Sequence, residues 1–430
     1  MVRWRSVRGI GFVVAVYLFG LHLTAPGGAA GSPRAYLYAL FGPRDPASAV
    51  CCDGSAATLA DPGRLPSTVL EVVSVDNSPF MAKSIDLGQI QARGMVVSLD
   101  GLRVFVLDAA GSIAVYDVAT GGRVATFSVP EIPVSAELGG GGTLLYVTTE
   151  AASVIAINAS SGARTDVLST SLQRLTHLSV LVSGGGDEIA IGATSGGPAL
   201  FRARADAGRF SLDRASSLLY PCGTASPAGD DVAFTTSGWV MVNNRGCQQI
   251  ASVHEVSGSW FAAYLRYADQ TCSPNSKQNM AWYSPLIDRT FVIFGGTSGD
   301  LPVALPFANQ GLTATGYVQG FSGTPEVGAL TPDGRRLLVI KQMTCQDRFK
   351  LDAYDVLTHD LASPTYSFVT PAATRAPVDV RVIVRDGALP GPMMSSGVQA
   401  LVGSSRTWLK LGLLAFGVAL WRLDRRRKRL

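Results

Sequence analysis

A short unit recurs along this chain, and it constrains the fold more than any other feature. Its clearest copy runs from Ser98 to Gly122, SLDGLRVFVLDAAGSIAVYDVATGG. Asp100-Gly101 is a tight-turn signal, because glycine tolerates positive φ and aspartate accepts hydrogen bonds from nearby backbone amides. Val104 and Val106 alternate with Phe105, the period of a strand, and Ile113 and Val115 repeat that pattern after Gly111. The turn DVATGG follows. MVVS lies ahead of Ser98 and RVATFSV lies beyond the turn, which makes four short strands joined by tight turns.

Similar units open at Gly142 (GTLLYVTTEAASVIAINASSG), Gly186 (GDEIAIG), Gly229 (GDDVAFTTSGWVMVNN), Asp288 (DRTFVIF) and Gly334 (GRRLLVIKQ, reaching KLDAYDVLTH), with a weaker first copy at Gly54. The anchors at 54, 101, 142, 186, 229, 288 and 334 are 47, 41, 44, 43, 59 and 46 residues apart. The turn after the third strand repeats as well, from Asp117, Asn158 and Asp355. A four-stranded sheet of this size cannot bury two apolar faces by itself. Stacking copies side by side buries both. The expected fold is therefore all-β, a seven-bladed β-propeller of four-stranded antiparallel blades over residues 31–387. The S/T-x-D-G and D-x-x-T-G turns resemble those of the YVTN-type and WD40-like propeller superfamily, over roughly residues 45 to 375, although the Trp-Asp ending of WD repeats is absent. Two strand-like stretches, Arg34 to Phe41 and Val378 to Gly387, lie outside the seven copies. Either is expected to close the ring, and the second could begin an eighth copy.

Hairpin order assigns the loops to two edges of the sheets. Turns between first and second strands share an edge with turns between third and fourth. Second-to-third loops and the connections between sheets share the opposite edge. The 59-residue interval is expected to place an insert, about Ser257 to Tyr283, on that opposite edge. Its aromatic residues Trp260, Phe261, Tyr264, Tyr267, Trp282 and Tyr283 are the candidate partner-binding set, because aromatic loops on a rigid scaffold are a common recognition device.

The two ends of the chain bear on its location. Arg3, Arg5 and Arg8 precede an uncharged run of 14 residues, Ile10 to Leu23, and then small residues to Ala30. That is the grammar of a signal peptide over residues 1–30. Residues 388–406 read as a linker. Thr407 to Leu423, 17 residues with Trp408 and Trp421 near its two ends, reads as a membrane-spanning helix, and residues 424–430 as a basic cytoplasmic tail. The expectation is a single-pass type I protein of the secretory pathway, at the cell surface or in the endoplasmic reticulum. The tail RKRL also resembles a retrieval signal. Residues 31–405 hold 25 basic and 31 acidic groups, so the central region is not a nucleic-acid binder by charge.

All six cysteines, Cys51, Cys52, Cys222, Cys247, Cys272 and Cys345, follow the signal segment. An even number in that compartment suggests disulfides. Cys222, Cys272 and Cys345 are expected on one edge, with Cys272 paired to Cys345 or to Cys222, and Cys247 near the other edge. Asn158-Ala159-Ser160 is a glycosylation sequon in an exposed turn. No catalytic motif, no metal-ligand cluster and no cofactor fingerprint is found. His177, His254 and His359 are scattered over separate copies, and Asp100, Asp187, Asp230 and Asp288 sit where turn chemistry explains them. The reading is a membrane-tethered, non-enzymatic binding or scaffold module for a protein or glycan partner. The rival is a propeller enzyme, lactonase-like or quinoprotein-like, with a site at the central channel.

Overall fold

A computed structural model of the chain describes residues 33–43, 67–75, 79–170, 174–183, 186–194, 200–216, 231–234, 240–244, 249–256, 259–266, 281–284, 289–292, 307–308, 324–342, 349–357, 365–369 and 375–386. The contacts divide the chain into two units, Arg34–Arg385 and a second made of Met1–Pro33 with Asp386–Leu430, and the sheets belong to the first. The described secondary structure is β-strand throughout, apart from a three-residue 3-10 turn at Gly140–Gly142.

The strands form seven sheets in chain order. Sheet one contains β1 (Pro33–Pro43), β2 (Thr68–Ser74) and β3 (Phe80–Gly88). Sheet two contains β4 (Ala92–Val97), β5 (Arg103–Asp108), β6 (Ser112–Asp117) and β7 (Arg123–Ser128). Sheet three contains β8 (Pro133–Gly139), β9 (Leu144–Thr149), β10 (Ser153–Asn158) and β11 (Arg164–Ser169). Sheet four contains β12 (Arg174–Ser183), β13 (Gly186–Thr194), β14 (Leu200–Asp206) and β15 (Arg209–Ser216). Sheet five contains β16 (Asp231–Phe234), β17 (Val240–Asn244), β18 (Gln249–Val256) and β19 (Ser259–Arg266). Sheet six has three described strands, β20 (Ala281–Ser284), β21 (Arg289–Val292) and β22 (Phe307–Ala308). Sheet seven contains β23 (Thr324–Leu330), β24 (Arg336–Gln342), β25 (Phe349–Asp355) and β26 (Tyr366–Val369). The last strand, β27 (Arg375–Asp386), returns to sheet one, whose order is β27-β1-β2-β3.

Burial explains the sequence pattern strand by strand. The middle strands β2, β9 and β10 are buried on both faces and read as near-continuous apolar runs. The fourth strands β7 and β11 alternate between exposed and covered positions, as outer strands do. One apolar cluster joins sheets two and three through Phe105, Leu107, Leu145, Val147 and Ile155. Another joins sheets three and four through Tyr146, Val154, Ile189 and Phe201. Sheet seven packs on sheet one through Leu338, Ile340, Leu351 and Ala353 against Leu37, Ala39, Phe41 and Val73. Each large side chain so buried contributes about 1.5–3 kcal/mol.

The recurring turns are built alike. Ser98 Oγ donates to Asp100 Oδ1 at 2.5 Å, and Leu102 N donates to the same oxygen at 2.9 Å. In sheet seven Thr331 Oγ1 and Arg335 N do the same to Asp333 Oδ1 at 2.5 and 3.1 Å. At the third-to-fourth turns of sheets two and three, Asp117 Oδ1 accepts from Thr120 N and Asn158 Oδ1 from Ser160 N and Ser161 N. Three bonds tie the two turns of one sheet together: Val118 N to Leu102 O, Ala159 N to Thr143 O and Val356 N to Arg335 O. First-to-second and third-to-fourth turns therefore share an edge, as expected. Gly101 must be glycine, because its φ is +70° and a Cβ would lie 2.6 Å from the Tyr38 hydroxyl.

Two anchors are displaced. Gly54 falls between β1 and β2, the second- and third-position strands of sheet one, because the first position is taken by β27. Gly229 precedes β16, the first strand of sheet five, so it sits in a connection between sheets. A Gly-Asp pair marks a turn of either kind. With sheet five counted from its own first-to-second connection the intervals become near-equal, and the extra residues of the 59-residue spacing contain β19. Residues 378–386 belong to a strand of sheet one and begin no eighth copy.

Candidate functional site

The first strands of successive sheets lie against one another, β4 on β8, β8 on β12, β12 on β16, β16 on β20 and β20 on β23. The polar groups they share form the best-defined candidate site. On β27 the alternation of VDVRVIVRD turns Val380 towards sheet seven and Asp379 and Arg381 towards sheet two. Asp379 Oδ2 accepts from Met95 N of β4 at 2.9 Å, and Arg381 Nε donates to Met95 O at 3.3 Å. Arg381 also pairs with Asp379 at 3.7 Å and with Glu137 of β8. One arginine thus reaches from sheet one across the backbone of sheet two to sheet three, between two carboxylates. Asp379 is buried, while the Arg381 and Glu137 side chains are half-buried. Nearby, Thr148 Oγ1 accepts from Ser135 N at 3.1 Å and donates to Thr176 O at 2.9 Å, linking sheets three and four. At the opposite edge Arg93 of β4 pairs with Glu150 at 2.5 Å. The charges in this lining are paired across sheets, so its chemistry is that of a positioned, hydrogen-bonded seam.

The sequence-derived candidates fall as follows. Trp260, Phe261 and Tyr264 lie on β19, opposite Glu255, His254 and Ala251 of β18. Trp282 and Tyr283 lie on β20, opposite Phe291 and Thr290. The expected loop insert over residues 257–283 is corrected by these two strands: aromatic residues are strand formers, and these pair here as such. Tyr267 lies outside the described residues, as do all six cysteines, His359, and the segments expected to be a signal peptide, a linker, a membrane span and a basic tail. Among the described residues no helix is long and apolar enough to cross a membrane.

Cys247 lies between β17 and β18, a second-to-third connection. Asn158 holds its turn as Asp117 holds the equivalent one, and the Ser160 hydroxyl also donates to its Oδ1 at 2.7 Å.

Asp187, read from the sequence as a turn residue, is instead a buried acceptor, and two further buried polar groups, the Lys341–Asp352 pair and Glu71, were missed. Asp187 on β13 accepts from Tyr146 OH at 2.7 Å and Gly140 N at 2.6 Å, and burial followed by this hydrogen bond raises the Tyr146 hydroxyl well above the usual tyrosine range. Lys341 of β24 pairs with Asp352 of β25, which Tyr354 OH approaches at 3.1 Å and Lys350 at 3.2 Å. Burial lowers the Lys341 ammonium, against the raising pull of Asp352. Glu71 of β2 is 1% exposed. A charged residue inside an apolar run, as in TVLEVVS and RLLVIKQ, was the available signal for the last two.

No family model and no curated protein matches the chain. Among solved structures, a functionally unknown protein from Desulfotomaculum acetoxidans DSM 771 is similar with a TM-score of 0.56 and 12% identity, over 74% of this chain and 96% of that one. In all, 1590 solved chains resemble it. Architecture shared that widely hosts unrelated functions, so the likeness carries the fold alone.

Proposed function

We propose that this chain is a seven-bladed β-propeller, tethered to a membrane of the secretory pathway by its C-terminal segment, that works as a non-enzymatic binding module for a protein or glycan partner. Seven sheets in chain order, the first completed by the last strand, support the closed propeller. The partner binds at the edge where the sheets are connected. The observation that carries this reading is the length of two neighbouring connections. Residues 217–230 and 267–280 enter and leave sheet five at that edge with 14 residues each, whereas residues 89–91 and 129–132 suffice between the earlier sheets. Long connections on a rigid frame are where recognition is built. Tyr267 opens the second of them, between the aromatic strands β19 and β20.

The cysteines support the same edge, since every one falls in a connection that starts and ends there. A Cys222–Cys272 disulfide would join the two long connections, and Cys345 offers the other pairing for Cys272. A glycan on Asn158 would stand on the opposite edge and leave the binding edge free.

The test replaces residues 268–280 by a short Gly-Ser linker in the full-length protein. Partners are trapped by a photo-crosslinking residue at position 267 in wild type and variant, and binding to immobilised glycans is measured in parallel. The expected result is loss of the crosslinked or glycan-bound species with an unchanged unfolding temperature. Retention of the same species would refute the assignment of the edge, and loss of the fold would refute the view of this connection as an appendage.

A further inference from the structure

We propose that Glu71 makes the seam between the first and seventh sheets a proton-operated latch, tight while its carboxyl is protonated and loosened as it ionises. The geometry is that of a carboxyl buried with no ion-pair partner among the described residues. Glu71 sits mid-strand on β2, opposite Ala39 of β1 and Ser84 of β3. The strand alternation puts it on the face of Val73, which with Leu37, Ala39 and Phe41 packs on Leu338, Ile340, Leu351 and Ala353 of sheet seven. It is 1% exposed, and its Oε2 is buried with no hydrogen-bond partner. A carboxylate so placed is far more costly than a neutral carboxylic acid. Burial pushes the Glu71 carboxyl up to about 7, against the lowering pull of Arg375.

The charged groups facing this seam do not neutralise it. On sheet one, Arg375 of β27 is committed to Ser67, with Nε on the carbonyl at 2.6 Å and Nη2 on the hydroxyl at 3.3 Å. Asp86 of β3 is exposed and accepts from Gly88 N at 2.9 Å. On sheet seven, Arg336 donates to Val75 O at 2.9 Å, and Asp355 pairs with Arg335 at 3.4 Å, both towards the turn edge. Lys83, Asp379 and Arg381 of sheet one point towards sheet two. Lys341, Lys350 and Asp352 lie on the face of sheet seven turned away from sheet one.

The sign follows from linkage. The unfolded or opened chain titrates Glu71 at its ordinary value of 4.5, and the closed seam titrates it at about 7. Between these values closing the seam binds a proton, so its stability is fully present below 4.5, falls as pH rises, and levels off above about 7. One proton corresponds to about a tenfold change in the opening equilibrium per pH unit inside that window.

The experiment is amide hydrogen exchange of the full-length protein from about pH 5 to about pH 8, corrected for the intrinsic exchange rate, in wild type and Glu71→Gln. The latch predicts that protection of β1, β2 and β24 falls with rising pH by up to about tenfold per unit while β9 and β10 of sheet three keep theirs, and that Glu71→Gln flattens the dependence. Wild-type protection that changes equally in sheets one and three would overturn the proposal, as would a folded Glu71→Gln variant that keeps the wild-type profile. If the variant does not fold, the wild-type comparison between sheets decides alone.

Discussion

Asp187 shows how much one side chain can organise. A single carboxylate oxygen at the start of β13 holds both the Tyr146 hydroxyl and the Gly140 amide of the preceding sheet. The room for it exists only because residue 139 is glycine: a Cβ there would lie 2.2 Å from the Tyr146 ring and 2.3 Å from Asp187 Oδ2. Asp187→Ala leaves a buried hydroxyl and an amide without their acceptor and should cost about 2–3 kcal/mol, whereas Tyr146→Phe, which removes only one donor, should cost about 1–2 kcal/mol. Denaturant unfolding of both variants tests the order, and equal costs would mean that the Gly140 bond contributes nothing.

At the scale of the element, the turn is the unit that repeats. Removing the acceptor by Asp100→Ala or Asp333→Ala loses two equivalent bonds in each case, so the two variants should lower stability by a similar amount, about 1 kcal/mol each, read as matching shifts in unfolding midpoint. Burial alone would raise Asp100, but its bonds from Ser98 and Leu102, together with the pull of Arg385 and Arg103, outweigh that and hold it below the ordinary carboxylate value, as the Thr120 amide holds Asp117. Their contribution is therefore present above 3.8 and lost as pH falls below it, opposite in sign to that of Glu71. These turns were legible in the sequence because the chemistry is local: Ser98, Asp100 and Gly101 satisfy one another within six residues, and β4 to β7 follow from them. Gly54 and Gly229 misled for the same reason, since a local signal does not say whether the next strand stays in the same sheet. Arg381 was beyond reach altogether, because its partner Glu137 is 244 positions away. The aromatic residues of β19 and β20 were found as a group and misplaced as a loop, since they were read only for their ring content and not as strand formers.

For the whole molecule, β27 is the decisive strand. It supplies the first position of sheet one, and through Asp379 and Arg381 it also holds sheets two and three. Deleting residues 375–386 would leave β1 with an unpaired edge and Glu137 without its arginine. The truncated chain should lose cooperative unfolding and associate through that edge, as seen by light scattering, and a synthetic peptide of residues 375–386 added in trans should restore the monomer. A truncated chain that stays monomeric with the wild-type unfolding temperature would show that the proposed ring does not depend on its closing strand.

That same strand imposes an order on synthesis. While the ribosome is still translating the middle of the gene, β1 to β3 have already emerged, yet their fourth neighbour has not been made. The nascent chain must therefore carry an unfinished sheet for nearly its whole length, a topology that folds late and leans on chaperones in the meantime. A frameshift or premature stop anywhere before Arg375 would leave the first sheet without its first-position strand, however much of the chain had been made.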